Sequence, residues 1–219
     1  MTRRREAAIA LTAYAAYLAV RGIVWNDRGR ARALRNGRSI VAVEQRLGID
    51  SEPRVQAIAV RAPRFVDLLN VSYAAGNVAL SVGWLSWLYR CGDDDYRRER
   101  RAMAIAFTSA LPFFLAFPTA PPRKQEGFVD TLASRGIDIE HPLLVRFYNP
   151  IAAMPSHHVA FAVVTGAGLA TRADSVAGRI MFRTYAPLIA FVVVATGNHY
   201  VLDAVVGAAL GNLARRLAR

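Results

Sequence analysis

Apolar and polar positions alternate in blocks along this chain rather than at the spacing of one amphipathic face. Six apolar runs stand out: Ala7–Trp25, Val71–Tyr89, Ala102–Ala120, Met154–Ala170, Ile180–Gly197 and Tyr200–Leu213. A helix needs roughly 20 residues to cross a bilayer core, and somewhat fewer suffice for buried spans. The pattern therefore predicts an all-α, integral membrane fold of six transmembrane helices, one domain over residues 1–219. The last run is short and carries Asp203. Pro112 and Pro118 should kink or end the third span.

Between the first two runs the period changes. From Asn26 to Asp50, Ile40, Val43 and Leu47 recur at spacings of three and four among arginines. That spacing predicts an amphipathic helix lying on the membrane surface. Ser51-Glu52-Pro53 reads as a second helix start, with Ser51 as N-cap and proline in the first turn. This helix should run to about Asn70 and be interfacial as well. Residues 121–149 are polar and link two spans.

Composition sharpens this picture. Hydrophobic residues make up 54% of the chain. The alternative, a soluble helical protein, would have to bury Phe-, Trp- and Leu-rich helices on all sides. The net charge of +12 comes from 27 arginines and one lysine, Lys124. They cluster at the ends of apolar runs, where they suit an anionic lipid surface rather than nucleic acid. Cys91 is the single cysteine, so no internal disulfide is possible. Met1-Thr2-Arg3-Arg4-Arg5 resembles a signal-peptide start, but the run extends to Trp25 without a clear cleavage site and reads as a retained span. Six crossings place residues 26–70, 121–152 and 197–199 on one side, with 13 positive residues against 14 on the side of the termini. Amphipathic segments weigh little in the positive-inside rule. The termini are therefore expected inside, in the plasma membrane, and the other face outside.

Three of the four histidines lie in two short segments, Asn149 to His158 and Asn198 to Asp203. One down-and-up hairpin returns His199 to the face that His158 left, and Asp203 follows one helical turn after His199. A neutral imidazole can attack phosphorus, and a nearby carboxylate can hold its tautomer. His199 with Asp203 fits that pair, and His158 fits a general acid. Ser156 offers a hydroxyl at a helix N-terminus, and Arg123 can grip phosphate oxygens at two points. The same residue types admit two other readings: a zinc site built on two histidines and a carboxylate, or a transporter using Asp203 as a proton relay. His157 points elsewhere on the helix than His158. Gly207 and Gly211 form a pattern of close helix packing.

Pro155-Ser156-His157-His158 and His199-x-x-x-Asp203 resemble the second and third signature motifs of the type 2 phosphatidic acid phosphatase superfamily. Pro121-Pro122-Arg123 and Asn198-His199-Tyr200-x-x-Asp203 are similar to its inositol phosphorylceramide synthase-like branch. The resemblance covers residues 117–212. It implies a six-helix membrane phosphatase or phosphotransferase acting on a lipid phosphate without metal or other cofactor. It also implies His199 as nucleophile, Asp203 as its orienter and His158 as general acid, with Arg123 and Ser156 as phosphate ligands. Headgroup transfer of the inositolphosphotransferase kind is the alternative within that class. The chain departs from the superfamily where lysine and Ser-Arg are expected, with Ala116, Val192 and Val193 in those places. Lys124, Arg146 and Asn198 are the candidates to replace the two missing cations.

Cysteines introduced singly at positions 34 and 127 in a Cys91-free background are expected to label from one membrane face, and Cys91 of the unaltered protein from the other. Labelling of 34 and 127 from opposite faces would refute the count of spans.

Overall fold

The computed structural model describes residues 3–219 and is helical, with no strand among them. The helices are α1 (Arg3–Val24), α2 (Asp27–Leu47), α3 (Glu52–Ala59), α4 (Pro63–Val71), α5 (Asn77–Arg90), α6 (Tyr96–Ser109), α7 (Leu111–Ala116), α8 (His157–Ala170), α9 (Val176–Arg183), α10 (Tyr185–Ala195) and α11 (Val201–Leu217). A π turn at Ser72–Gly76 joins α4 to α5, so Pro63–Arg90 forms one rod of 28 residues. α9 and α10 likewise run together as Val176–Ala195.

Among the described residues three helices are long and apolar enough to cross a membrane: Arg3–Val24, Pro63–Arg90 and Val176–Ala195. At 1.5 Å per residue, the 22 residues of α1 reach about 33 Å. The other expected spans are shorter or interrupted. The third breaks at Ala110, with Pro112 in the first turn of α7, and ends before Pro118. α8 has 14 residues and α11 has 17.

α8 is the hub, packed against α5, α6, α9, α10 and α11. Its sequence explains the position, because Ala160, Ala162, Gly166 and Gly168 let neighbours approach on every face. On one side Ala160 and Val164 meet Ala102, Ala106 and Ala214. On the other, Val159 and Ala162 meet Ile189, Val193 and Ala204. The outward surface stays apolar, with Leu11, Ile23, Val82, Leu188, Val205 and Leu213 all more than half exposed. An apolar exterior around a small-residue core is the arrangement of helices that meet lipid.

One expectation for residues 26–70 needs correction, and the faces of α2 can be assigned. The buried stripe of α2 is Ala33, Gly37, Ile40 and Glu44, while Val43 and Leu47 lie exposed. The small residues face the protein because α2 lies against the loop after α7; Ala120 N–H donates to Ala33 O at 3.0 Å. The helix expected from Ser51 to Asn70 is two helices, and the second belongs to the rod of α5. Pro63 explains the break, since it cannot donate a helical hydrogen bond and suits a first turn. Ser51 makes no side-chain capping bond.

Gly207 and Gly211 bring α11 against the start of α8, as their spacing suggested. A Cβ on Gly211 would lie 2.7 Å from Ala160 O and 2.9 Å from Val163 Cβ. Gly83, on α5, has open space around it. Gly211→Ala is therefore expected to lower the thermal midpoint in detergent, with overpacking costing about 1–3 kcal/mol. Gly83→Ala should leave it unchanged or raise it, because alanine is the better helix former. Equal shifts for the two variants would show that the α8–α11 contact tolerates an extra methyl.

Candidate active site

The polar segments between helices are stitched together by backbone hydrogen bonds. Thr119 N–H donates to Ile151 O at 2.8 Å, and Ala153 N–H donates to Thr119 O at 3.1 Å. Arg123 N–H reaches Gly197 O at 2.8 Å, and Ser156 N–H reaches Asp203 O at 3.0 Å. Three stretches far apart in sequence thereby share one corner of the bundle. Gly197 makes the last turn possible, with φ at +69° and no room for a side chain beside Gln56. Its turn delivers Asn198 and His199 to the mouth of α11.

His199 is 5% exposed. Its Nδ1 lies 2.8 Å from Ala153 O and 3.3 Å from Asp203 Oδ2. Both neighbours are acceptors, so Nδ1 carries the proton and Nε2 keeps its lone pair. Asp203 is fully buried, and its Oδ2 also accepts Tyr200 N–H at 3.0 Å. One carboxylate thus caps α11 and holds the imidazole of its own first turn.

His158 lies in the first turn of α8, its ring centroid 6.1 Å from that of His199. Asn77 on α5 donates from Nδ2 to His158 O at 2.9 Å, and the same nitrogen lies 3.4 Å from His158 Nδ1. Asn77 Oδ1 accepts the Tyr185 hydroxyl at 2.8 Å, and the His158 carbonyl, which can only accept, fixes Nδ2 as the donor end. A neutral His158 therefore carries its proton on Nε2. Tyr73 covers the ring at 4.5 Å between centroids.

Arg123 is 7% exposed. Its Nη1 donates to Asn198 Oδ1, and its Nε lies 3.3 Å from Asp130 Oδ2, an ion-pair distance short of hydrogen-bond geometry. These contacts orient the guanidinium and leave further N–H groups for a ligand.

Arg123, Asn198, His158 and His199 line one cavity of about 160 Å³, together with Tyr17, Tyr73, Tyr148, Asn149 and His157. A larger cavity, about 570 Å³, opens at the far end of α5 beside Arg90 and Asp93, and no histidine lines it. The paired histidines and Arg123 line the smaller one. Burial raises the Tyr148 phenol well above its ordinary range, against a smaller opposing effect of Arg123, so it faces the cavity uncharged.

Other expected site residues are placed differently. Ser156 is fully buried as the N-cap of α8, its Oγ accepting Val159 N–H, and it does not line the cavity. Lys124 pairs with Glu140 at 2.9 Å. Arg146 is exposed, so Asn198 alone of the three candidates for the missing cations reaches the cavity wall. His157 also stacks against Phe107 and Phe161, its Nε2 3.0 Å from Phe107 O. Sequence reasoning missed Tyr17, Tyr73, Asn77 and Asp130. Only Tyr148, beside Asn149, carried a local signal. Among the described residues no group of three or more His, Cys, Asp or Glu is placed to hold a metal ion.

The fold and site thus define a helical protein of membrane type with a paired-histidine, arginine-bearing pocket. A family profile described as the PAP2 superfamily matches residues 38–217, and the chain belongs to that superfamily. Neither a curated protein nor a solved structure matches the chain.

Arg123 is the cavity's one arginine or lysine, and its fork is pre-set by Asn198 and Asp130. A lysine there offers only a point charge. Arg123→Lys is therefore expected to weaken binding of inorganic phosphate at least tenfold, measured by calorimetry. A tenfold loss is about 1.4 kcal/mol, and a charge-assisted contact is worth about 1.5–3. An affinity within twofold of the parent would remove Arg123 from the site.

Proposed function

We propose that this protein is a membrane phosphatase or phosphotransferase that cleaves a lipid phosphoester through a phosphohistidine on His199. Membership of the PAP2 superfamily supports phosphoryl chemistry. The observation that carries the mechanism is the fixed tautomer of His199, with Nδ1 held by Ala153 O and Asp203, in one cavity with His158 and Arg123. The exposed apolar helices support a lipid substrate, drawn from the surrounding bilayer.

In this reading Arg123 and Asn198 hold the phosphoryl oxygens. The His199 Nε2 lone pair attacks phosphorus, and the bond from phosphorus to the lipid oxygen breaks. His158, charged against the bound phosphate, gives its proton to the departing alkoxide. Asp203 and Ala153 O stabilise the His199 ring as positive charge develops on it. Water or an alcohol then attacks phosphorus, returns a proton to His158 and breaks the N–P bond. The chain crosses the membrane six times, its shorter helices spanning with α8 at the centre, and the cavity opens on the extracytoplasmic face.

Headgroup transfer from a phosphodiester is a second reading, and one observation favours it. A single guanidinium lines the cavity, already paired with Asp130. One cation suits the single charge of a diester better than the two charges of a monoester.

Enzyme quenched in alkali during turnover of a labelled lipid phosphate should carry acid-labile, base-stable label on His199. The label should be absent in His199→Ala, insensitive to chelator, and slower to form and to decay in Asp203→Asn. Turnover that stops with chelator and never labels a histidine would sink the mechanism. Lipid monoester and diester substrates, each with and without an added polyol, separate hydrolysis from transfer.

A further inference from the structure

Two further carboxylates that reach the turn carrying His199 come from the stretch expected to lie on the membrane surface. Glu44 is 1% exposed near the end of α2, and Glu52 is 2% exposed at the start of α3. Glu52 Oε1 accepts Val201 N–H at 2.6 Å, and Glu44 Oε1 accepts Leu202 N–H at 2.6 Å. With Tyr200 N–H on Asp203, three consecutive amides at the mouth of α11 are each held by a different carboxylate. A helix start leaves such amides without intrahelical partners, and its dipole favours anions there.

This arrangement exceeds what capping requires, since Asp203 and water would satisfy an ordinary helix start. It also draws in α2 and α3, whose connection is only residues 48–51. Glu44 Oε2 is buried without a hydrogen-bond partner. Two buried carboxylates side by side cannot both be charged cheaply, and a proton shared between them satisfies the orphaned oxygen.

We propose that Glu44 and Glu52 are positioning residues for His199, a carboxyl pair that shares one proton and anchors the turn carrying the imidazole to α2 and α3. The proposal rests on the reading of His199 as nucleophile. Neither residue touches the cavity. They act through the backbone of Val201 and Leu202, two and three residues beyond His199.

The pair is pH-sensitive. Burial, then the neighbouring Glu52 carboxyl, pushes the Glu44 carboxyl up to about 8, with Leu202 N–H opposing. The charged groups acting on it are Glu52 from α3 and Asp203 from α11, both acidic. Because the folded-state value lies above the ordinary one, the pair's contribution is whole at low pH and is lost as pH rises through about 8. Above that point a second buried charge faces Glu52 and Asp203, and the grip on α11 loosens.

The test uses the full chain in detergent with ¹⁵N-labelled histidine, the His199 ring signals being identified by their absence in His199→Gln. In the parent protein those signals should shift in a step near pH 8, matched by the alkaline limb of kcat/KM. Glu44→Gln keeps an acceptor for Leu202 N–H and a donor for Glu52, so the step should vanish. Glu44→Ala should lower kcat more than it raises KM; should it fail to fold, Glu44→Gln decides. An identical His199 pH response in parent and Glu44→Gln overturns the proposal, even if His199 still takes up phosphoryl label. A step present in the parent and absent in Glu44→Gln upholds the pair, even if no label forms and the nucleophile reading falls.

Discussion

The site depends on a set of backbone hydrogen bonds between segments with no helix or sheet to hold them. Thr119 pairs with Ile151 and Ala153, Arg123 with Gly197, and Ser156 with Asp203. Buried N–H and C=O groups must find partners, and in an irregular loop each partner fixes the register of another segment. Here that requirement is met by the stretches bearing Arg123, His158 and His199. The chemistry and the local fold are thus one constraint: moving any of the three strands of chain leaves buried polar groups unpaired.

Charge is handled in the same economical way. The Arg123 guanidinium is buried against Asp130 and Asn198. Asp203 is buried against His199 and Tyr200 N–H. Each contact gives a buried charged group a partner and helps to orient a side chain that lines the cavity. At the other end of the bundle, Glu99 is 1% exposed and accepts from Arg215, which also donates to Val164 O. That pair ties α6, α8 and α11 together without serving the cavity. Burial of an ion pair alone therefore does not mark a site.

α8 joins the two roles. Its small residues admit five neighbouring helices, and its first turn presents His158 to the cavity while His157 is stacked among phenylalanines. Adjacent histidines diverge because successive helical residues point about 100° apart, so one ring meets the site and the other mainly the packing. Asn77 completes the arrangement from α5, choosing the His158 tautomer from a helix that sequence patterns treat only as a span.

Much of this was legible in the linear chain. Apolar blocks give helices of membrane type, prolines break them where expected, and the Gly207–Gly211 spacing gives close packing against α8. The spacing from His199 to Asp203 places both on one turn by helix geometry alone, and the motif segments identify Arg123, Asn198 and His158 as companions. Local periodicity reaches no further, because it reports the face of a helix and not what covers that face. It could not tell that Lys124 would turn to Glu140, or that the other face of α2 would bury Ala33 and Glu44 in the protein. Tyr17, Tyr73 and Asn77 enter the site, and Glu44 and Glu52 reach α11, only because helices remote in sequence meet there. Such meetings are settled by packing and by pairing of buried polar groups over the whole bundle, so tertiary structure alone decided them.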